Sequence, residues 1–427
     1  MLDGGAPPRH ILIFEPDARG HAEEWLLHIA RLLGEGKSSR RVTMLVARAL
    51  ARRLSHEAEK LAPGTLEILA LSERECRLCM SSGVMLGSFA RWWIVRHYLA
   101  KTRADEAFFL CVDTLSLPFA LGLGMGGKPA SGVLFRPSVH YAAMNKTDPT
   151  SKEKIRDLRK DLLYPQMLRN PAVNVIHSLD PYFPAYAQER YVHGAKVVPL
   201  ADPASEAFET SADRADLKPR GPAGRTRFLL FGELTERKGI IQVLQACARL
   251  SPEIARRTIV VLAGRVDPPL KKLVQDLLWK ARKDRPELWI ELEDRRLTLD
   301  ELAESILSCD MILAPYQRFV GSSGVLIWAA RAGRPVITQA YGLLGRQAHD
   351  HKLGLAVDTT SPDILADAMT LAVEKGPRTL FDEHAARRFA SRREGLRFAA
   401  RVLGLPQWDG LTTSRERVPN MILQTTS

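Results

Sequence analysis

Two short stretches carry side chains suited to holding a phosphorylated ligand. In FGELTERKGIIQVLQACARL (231–250) an apolar run ends at Gly232, a polar loop presents Arg237 and Lys238, and helical spacing begins near Gly239. A guanidinium and an ammonium beside a helix amino terminus add fixed positive charge to the helix dipole, which suits a diphosphate. A solvated basic loop would look the same, because so short a motif has little specificity. In PYQRFVGSSGVLIWAARAGRPVIT (315–338), Gly321, Ser322, Ser323 and Gly324 follow another apolar run and open an apolar helical pattern. Glycines there let a ligand approach the backbone, and free amides with serine hydroxyls can bond phosphate or sugar oxygens. A tight turn with serine capping the helix accounts for the same residues.

The first half offers sparser chemistry. Pro16-Asp17-Ala18-Arg19-Gly20-His21 follows the first apolar run, with a helix expected to begin around His21. Gly20 would let a substrate close to the backbone there; the spacing is not GxGxxG, so a dinucleotide site gains no support. SGVLFRP (131–137), which contains Arg136, leads into Ser138-Val139-His140-Tyr141 and so places His140 at a strand's carboxyl end. A lone histidine is more often a structural hydrogen-bonder than a catalyst. MLGSFARWWIVRHYLAKTR (85–103) puts Met85, Phe89, Trp92, Trp93, Val95 and Leu99 on one broad helical face, with Arg96 inside it and Arg91, His97 and Lys101 outside. Aromatics flanked by cations suit a lipid interface. A helix that simply covers a sheet has the same pattern.

No GxSxG, HExxH or GxxxxGK[ST] occurs, so hydrolase, zinc-protease and NTPase readings lack their chemistry. Cys76-Arg-Leu-Cys79 has no second pair or nearby His pair to complete a zinc site and reads as loop thiols. Five scattered cysteines make no disulfide framework and point to a reducing cytoplasm.

These residues need a frame, and the hydrophobic pattern supplies one. Short apolar, β-branched runs at 10–16, 41–47, 66–72, 106–113, 131–137, 174–180 and 196–202 alternate with helical patterns. Residues 203–226, rich in Pro, Ala, Gly and charge, break the alternation. It restarts with runs at 228–234, 258–264, 288–294, 310–316, 335–341 and 353–359. Continuous apolar strands joined by helices imply parallel sheets buried on both faces. The expected fold is α/β, two Rossmann-like doubly wound domains facing a cleft. The expected boundaries are 1–203 for the first domain, 204–226 for the linker and 227–375 for the second domain, with carboxyl-terminal helices over 376–410 and a tail over 411–427. Ligands of such sheets bind beyond the carboxyl ends of the strands, where both basic-glycine stretches fall.

The 61 Lys and Arg exceed the 49 Asp and Glu by 12, favouring anionic partners. Residues 1–205 carry 27 basic and 21 acidic side chains, half of that excess, so no charge block marks a nucleic-acid arm. Aromatic residues at 7% are too scattered for a base-stacking platform. The amino terminus lacks a signal-peptide pattern and no apolar run reaches a spanning length.

FGELTERKGI, LAGR (262–265), GSSGVLIWAARAGRPVIT and GLLGRQAHDHKLGLAVD (342–358) together resemble the donor-binding domain of group 1 glycosyltransferases of the GT-B fold. KVVPLADP (196–203) is similar to the point where that family leaves its first domain. The resemblance is specific over about 226–375 and implies a nucleotide-sugar donor on the second domain and an acceptor on the first. It further implies retention at the anomeric carbon, no metal ion and no cofactor beyond the donor itself. By position, Lys238 matches the lysine that binds the donor diphosphate, with Arg237 as helper and His140 near the reacting sugar. Gly232, Gly264, Arg265, Gly321, Ser322, Ser323, Gly324 and Val325 fall on the donor side; Arg19, Gly20, His21 and Arg136 fall on the acceptor side. The resemblance also implies that the final helices return to the first domain.

Two motifs, at three positions, depart from the family. Its Glu-x7-Glu pair falls on Val320 and Trp328, and its arginine after the first glycine of the donor strand is Glu233. The expectation is a cytoplasmic hexosyltransferase, at or near the inner face of the cell membrane. It would use a nucleoside-diphosphate sugar and a saccharide or polyprenyl-linked acceptor, for surface polysaccharide or glycolipid synthesis. Peripheral contact with anionic membrane through helix 85–103 would suit such an acceptor. The alternatives are a non-catalytic GT-B partner that binds sugar nucleotide or saccharide, and a basic nucleic-acid-binding protein.

Overall fold

The structure is a computed structural model describing residues 9–18, 22–36, 38–62, 64–81, 84–144, 150–203, 222–321 and 323–405. Arg19, Gly20, His21 and Ser322 lie outside the described residues, as do residues 204–221 of the expected linker and the expected tail 411–427.

Seven parallel strands form the first sheet: β1 (His10–Glu15), β2 (Arg41–Val46), β3 (Leu66–Ala70), β4 (Glu106–Phe109), β5 (Ala130–Leu134), β6 (Val173–Ser178) and β7 (Val197–Pro199). Their order is β3-β2-β1-β4-β5-β6-β7. Six more form the second: β8 (Thr226–Phe231), β9 (Thr258–Ala263), β10 (Trp289–Glu293), β11 (Met311–Ala314), β12 (Val336–Gln339) and β13 (Gly354–Val357). Their order is β10-β9-β8-β11-β12-β13, again all parallel. In each sheet the first strand in sequence lies between strands wound in opposite directions. The crevice of a doubly wound sheet opens at the carboxyl end of such a strand.

Burial explains the patterning. All six residues of β9, TIVVLA, are buried because helices cover both faces of the sheet. In the first domain, helices Ala22–Gly34 and Arg48–Leu61 pack on one face; Val84–Thr102, Ser116–Ala120, Ser151–Arg169 and Phe183–Arg190 pack on the other.

The carboxyl-terminal segment divides between the domains. Helix Glu383–Ser391 packs on helix Val325–Arg331 and puts Phe389 into a core of the second domain. Helix Gly395–Val402 crosses to the first domain, where the Phe398 ring sits 4.7 Å from that of Trp25. A Cβ on Gly395 would fall 2.1 Å from His28 Nδ1, so only glycine permits this approach. Of the helices expected to return over 376–410, Gly395–Val402 makes the crossing, and residues 406–410 lie outside the described residues.

Two local expectations are corrected. Cys76 and Cys79 are helical, within Glu73–Cys79, and not loop thiols. Ser72 and Glu75 form a capping box that starts this helix, and Cys79 is buried beneath it. The broad apolar face expected over 85–103 is divided: Ile94, Val95 and Leu99 are buried against the sheet, whereas Met85 and Trp93 point outward.

Candidate functional site

At the crevice of the second sheet, β8 runs through Gly232 into the short 3-10 turn Glu236–Lys238 and then helix Ile240–Cys247. Gly239 joins turn to helix at φ +77°, and a Cβ there would lie 2.1 Å from the Pro315 carbonyl. Glycine therefore lets the basic turn press against the end of β11. The amide of Gln317 donates to the Arg237 carbonyl at 2.8 Å and ties the two loops together.

Tyr316 organises the cations. The Lys238 ammonium donates to its hydroxyl, and the Lys238 Nζ lies 4.6 Å from its ring centroid. The same hydroxyl is 3.1 Å from Ser323 Oγ, so one phenol links the basic turn to the serine loop. Arg237 rests over Phe319 at 4.9 Å and Tyr316 at 5.5 Å. Stacking on aromatic faces holds both cations without neutralising them, leaving their charge for an anion. Sequence reading missed Tyr316; its one signal is a tyrosine at the end of a strand, directly before a basic-glycine loop.

Gly232 and Gly264 close the floor of this crevice. At φ +145°, a Cβ on Gly264 would fall 1.8 Å from the Gly232 carbonyl. Arg265, at the rim, pairs at 3.4 Å with Glu233, and both are largely exposed. The acidic replacement after Gly232 thus faces Arg265, whereas Arg237 is engaged with the aromatic rings. Gly321 is buried, Ser323 and Gly324 are half-buried, and Val325 begins helix Val325–Arg331 with its side chain in the core. Val320 accepts a backbone hydrogen bond from Leu343 at 2.9 Å, and Trp328 is half-buried on the serine-loop helix.

In the first domain His140 lies in the 3-10 turn Ser138–Met144, beyond β5, and is buried. Its Nε2 is 2.6 Å from Asp180 Oδ2, and Asp180 follows β6 with no exposed surface. The Tyr182 amide donates to Asp180 Oδ1 at 2.9 Å, fixing the carboxylate. The ring of His140 packs among Tyr141, Phe183 and Tyr186. Burial first, and the Asp180 charge second, raise the neighbouring Tyr141 phenol well above its ordinary value. The turn that holds His140 touches helix Gly342–Asp350 of the second domain, so it lies at the domain boundary. Arg136 is exposed beside it; its carbonyl accepts from Lys160 and its amide reaches Asp113 Oδ1 at 3.4 Å.

The crevice of the first sheet holds a cavity of about 270 Å³ at the carboxyl ends of β1 and β4. Glu15, Asp17, Arg91 and Thr114 line it together with the aromatic rings of Trp25 and Phe135. Burial pushes the Glu15 carboxyl up to about 7, against the opposing effects of the Asp17 amide and Arg91. The Asp17 amide donates to Glu15 Oε1 at 2.8 Å. Neither Glu15 nor Arg91 stood out as a site residue in the sequence, because one ends an apolar strand and the other belongs to a helix. Among the described residues no group of three or more His, Cys, Asp or Glu could hold a metal ion, and no helix is long and apolar enough to cross a membrane.

Residues 225–375 match the family described as glycosyl transferases group 1. No curated protein matches the sequence. Among solved structures, the chain is similar to HepE of Anabaena in complex with UDP and glucose, at 13% identity and a TM-score of 0.58, covering 93% of this chain and 98% of that one. Sucrose-phosphate synthase of Thermosynechococcus elongatus is similar at 16% identity and a TM-score of 0.64, with 93% and 98% covered. WaaG, a glycosyltransferase involved in lipopolysaccharide biosynthesis, is similar at 15% identity and a TM-score of 0.54, with 95% and 99% covered. At these identities the likeness is one of fold.

Proposed function

We infer, for a chain that is a glycosyltransferase of GT-B fold with a group 1 domain over residues 225–375, that it moves a hexose from a nucleoside-diphosphate sugar to a saccharide or lipid-linked acceptor. The observation that carries this reading is the Lys238–Tyr316–Ser323 chain at the crevice of the second sheet. Departure of a nucleoside diphosphate concentrates negative charge on phosphate oxygens, and preorganised cations at that point lower the barrier. Lys238 and Arg237 supply the charge, and Gly321 and Gly324 supply close backbone approach. The reading needs no metal ion and no cofactor besides the donor.

The acceptor side falls on the cavity with Glu15 and Arg91, whose aromatic walls and buried carboxyl suit a sugar ring. His140, held by Asp180 at the boundary between the domains, stands for a group that positions the transferred sugar. We assign retention at the anomeric carbon, and surface polysaccharide or glycolipid synthesis at the inner face of the membrane, as the finer parts of the same proposal. HepE and WaaG support it only through fold and through the ligand and pathway given in their own descriptions.

A second reading rests on Val320 and Trp328, which stand where the family carries its glutamate pair. Neither side chain can accept hydrogen bonds from a ribose, so a binding partner without turnover fits those two positions. A thermal-shift screen of nucleoside diphosphates and their sugars separates the two readings when followed by a transfer assay with the stabilising donor. Stabilisation lost in Lys238→Ala, with sugar transferred by the wild type, supports the enzyme. Stabilisation without transfer to any saccharide or lipid-linked acceptor supports the partner. No stabilisation by any nucleotide overturns the donor site.

A further inference from the structure

We propose that the outer face of helix Ser151–Arg169 seats this chain on an anionic bilayer. The helix has two apolar sides. Tyr164, Met167 and Leu168 are buried on the sheet, whereas Ile155, Leu158 and Leu162 form a separate outward stripe, 68%, 63% and 64% exposed. Spacing of three and four residues puts those three on one line along the helix. At 19 residues the helix is about 28 Å long, enough to lie along an interface.

Charge selects the occupant. The helix carries six cations, Lys152, Lys154, Arg156, Arg159, Lys160 and Arg169, against three acids. Those acids are engaged by the protein itself, as are two of the cations: Lys160 donates to the Arg136 carbonyl and Arg156 pairs with Asp157 at 3.0 Å, which leaves Lys152, Lys154, Arg159 and Arg169. Glu153 closes the capping box with Thr150, Asp157 accepts from Ser138 at 2.5 Å, and Asp161 accepts from Tyr191 at 2.9 Å. Lys152, Lys154 and Arg159 are exposed. In the same layer, helix Val84–Thr102 has no acidic residue and exposes Met85, Leu86 and Trp93 beside Arg96 and His97. Helix Ser116–Ala120 lies between the two and contacts both. A second copy of this face would oppose cations to cations. Anionic headgroups complement them while the acyl boundary takes the apolar stripe.

The use of such docking rests on the proposed transfer to a lipid-linked acceptor, whereas the docking itself needs neither donor nor acceptor.

The test is co-sedimentation of the full chain with phosphatidylcholine vesicles, with and without phosphatidylglycerol, in the absence of nucleotide. Wild type is expected to bind only the anionic vesicles. The combined Ile155→Glu, Leu158→Glu and Leu162→Glu variant is expected to lose roughly a hundredfold in affinity. Combined Lys152→Glu and Arg159→Glu is expected to weaken binding at low salt. The exposed positions let each variant keep its unfolding midpoint and its donor-induced thermal shift, so a failed docking surface is distinguishable from a failed donor site. Wild-type binding retained by the triple variant would overturn the proposal. So would a dimer that the triple variant dissolves while neither protein binds vesicles.

Discussion

The hydroxyl of Tyr182, from the first domain, donates at 2.8 Å to the carboxylate of Asp350 in the second. Arg346, one helical turn from Asp350, places its guanidinium 3.9 Å from the Tyr182 ring centroid. Burial and the Asp350 bond both raise the phenol above its ordinary value, so the hydroxyl stays a donor through the neutral range. One side chain therefore joins the loop after Asp180 to helix Gly342–Asp350. Tyr182→Phe keeps the ring under Arg346 but removes the bond. It is expected to cost about 1 kcal/mol in chemical denaturation, and Tyr182→Ala is expected to cost more because the cation–π contact goes too.

Lys238→Ala is expected to weaken nucleoside-diphosphate binding by about ten- to a hundredfold, the range for a lost charge-assisted hydrogen bond. Tyr316→Phe keeps the ring beneath both cations and is expected to have a smaller effect. Titration calorimetry on the two variants checks this order. Equal losses would mean that the ammonium acts only while the Tyr316 hydroxyl holds it in place.

Glu15 predicts a pH signature. Its carboxyl titrates near 7 when folded and near its ordinary 4.5 when unfolded. Between those values the folded protein holds a proton that the unfolded chain has released. The associated stability is complete below 4.5, falls as pH rises, and is gone above about 7. Glu15→Gln removes this dependence, so the variant should gain on wild type as pH increases, by up to about 3 kcal/mol at pH 8. Urea unfolding at pH 5 and pH 8 measures the difference.

His140→Gln is expected to lower turnover and leave nucleotide affinity unchanged, since His140 belongs to the first domain and the cations to the second. Asp180→Ala removes the partner of a buried imidazole and is expected to cost about 3 kcal/mol as well as activity. A nucleotide thermal shift that disappears in His140→Gln would contradict this division of labour.

Phe398→Ala is expected to destabilise the first domain by about 3–5 kcal/mol, because it empties the space beside Trp25. Near-ultraviolet circular dichroism of the tryptophan environment, followed during thermal unfolding, reports on that core.

Much of the frame was legible because strands buried on both faces are continuous apolar runs: FLLF ends at Gly232 and TIVVLA ends at Gly264, where β8 and β9 end. Lys238 was legible because a basic pair before a glycine stands out in a local window. Tyr316 was not, since its role depends on β8 and β11 lying side by side, and that is a property of strand order. Asp180 was hidden for the same reason: forty residues separate it from His140. The stripe of Ile155, Leu158 and Leu162 looks like core in sequence, and only the second apolar side of that helix shows that it is surplus. The Cys76–Cys79 helix escaped notice because its capping box, Ser72 to Glu75, precedes a run too short to show periodicity.

The crossing made by helix Gly395–Val402 bears on the order in which a ribosome delivers this protein. Trp25, Leu26 and Ile29 are made before the second domain, yet Phe398, which shares their cluster, is made after it. The second domain has its whole sheet in hand before that helix emerges. A nascent chain therefore completes its later domain first and waits, with an apolar face on the earlier one still open to chaperones, for helix Gly395–Val402 to close it.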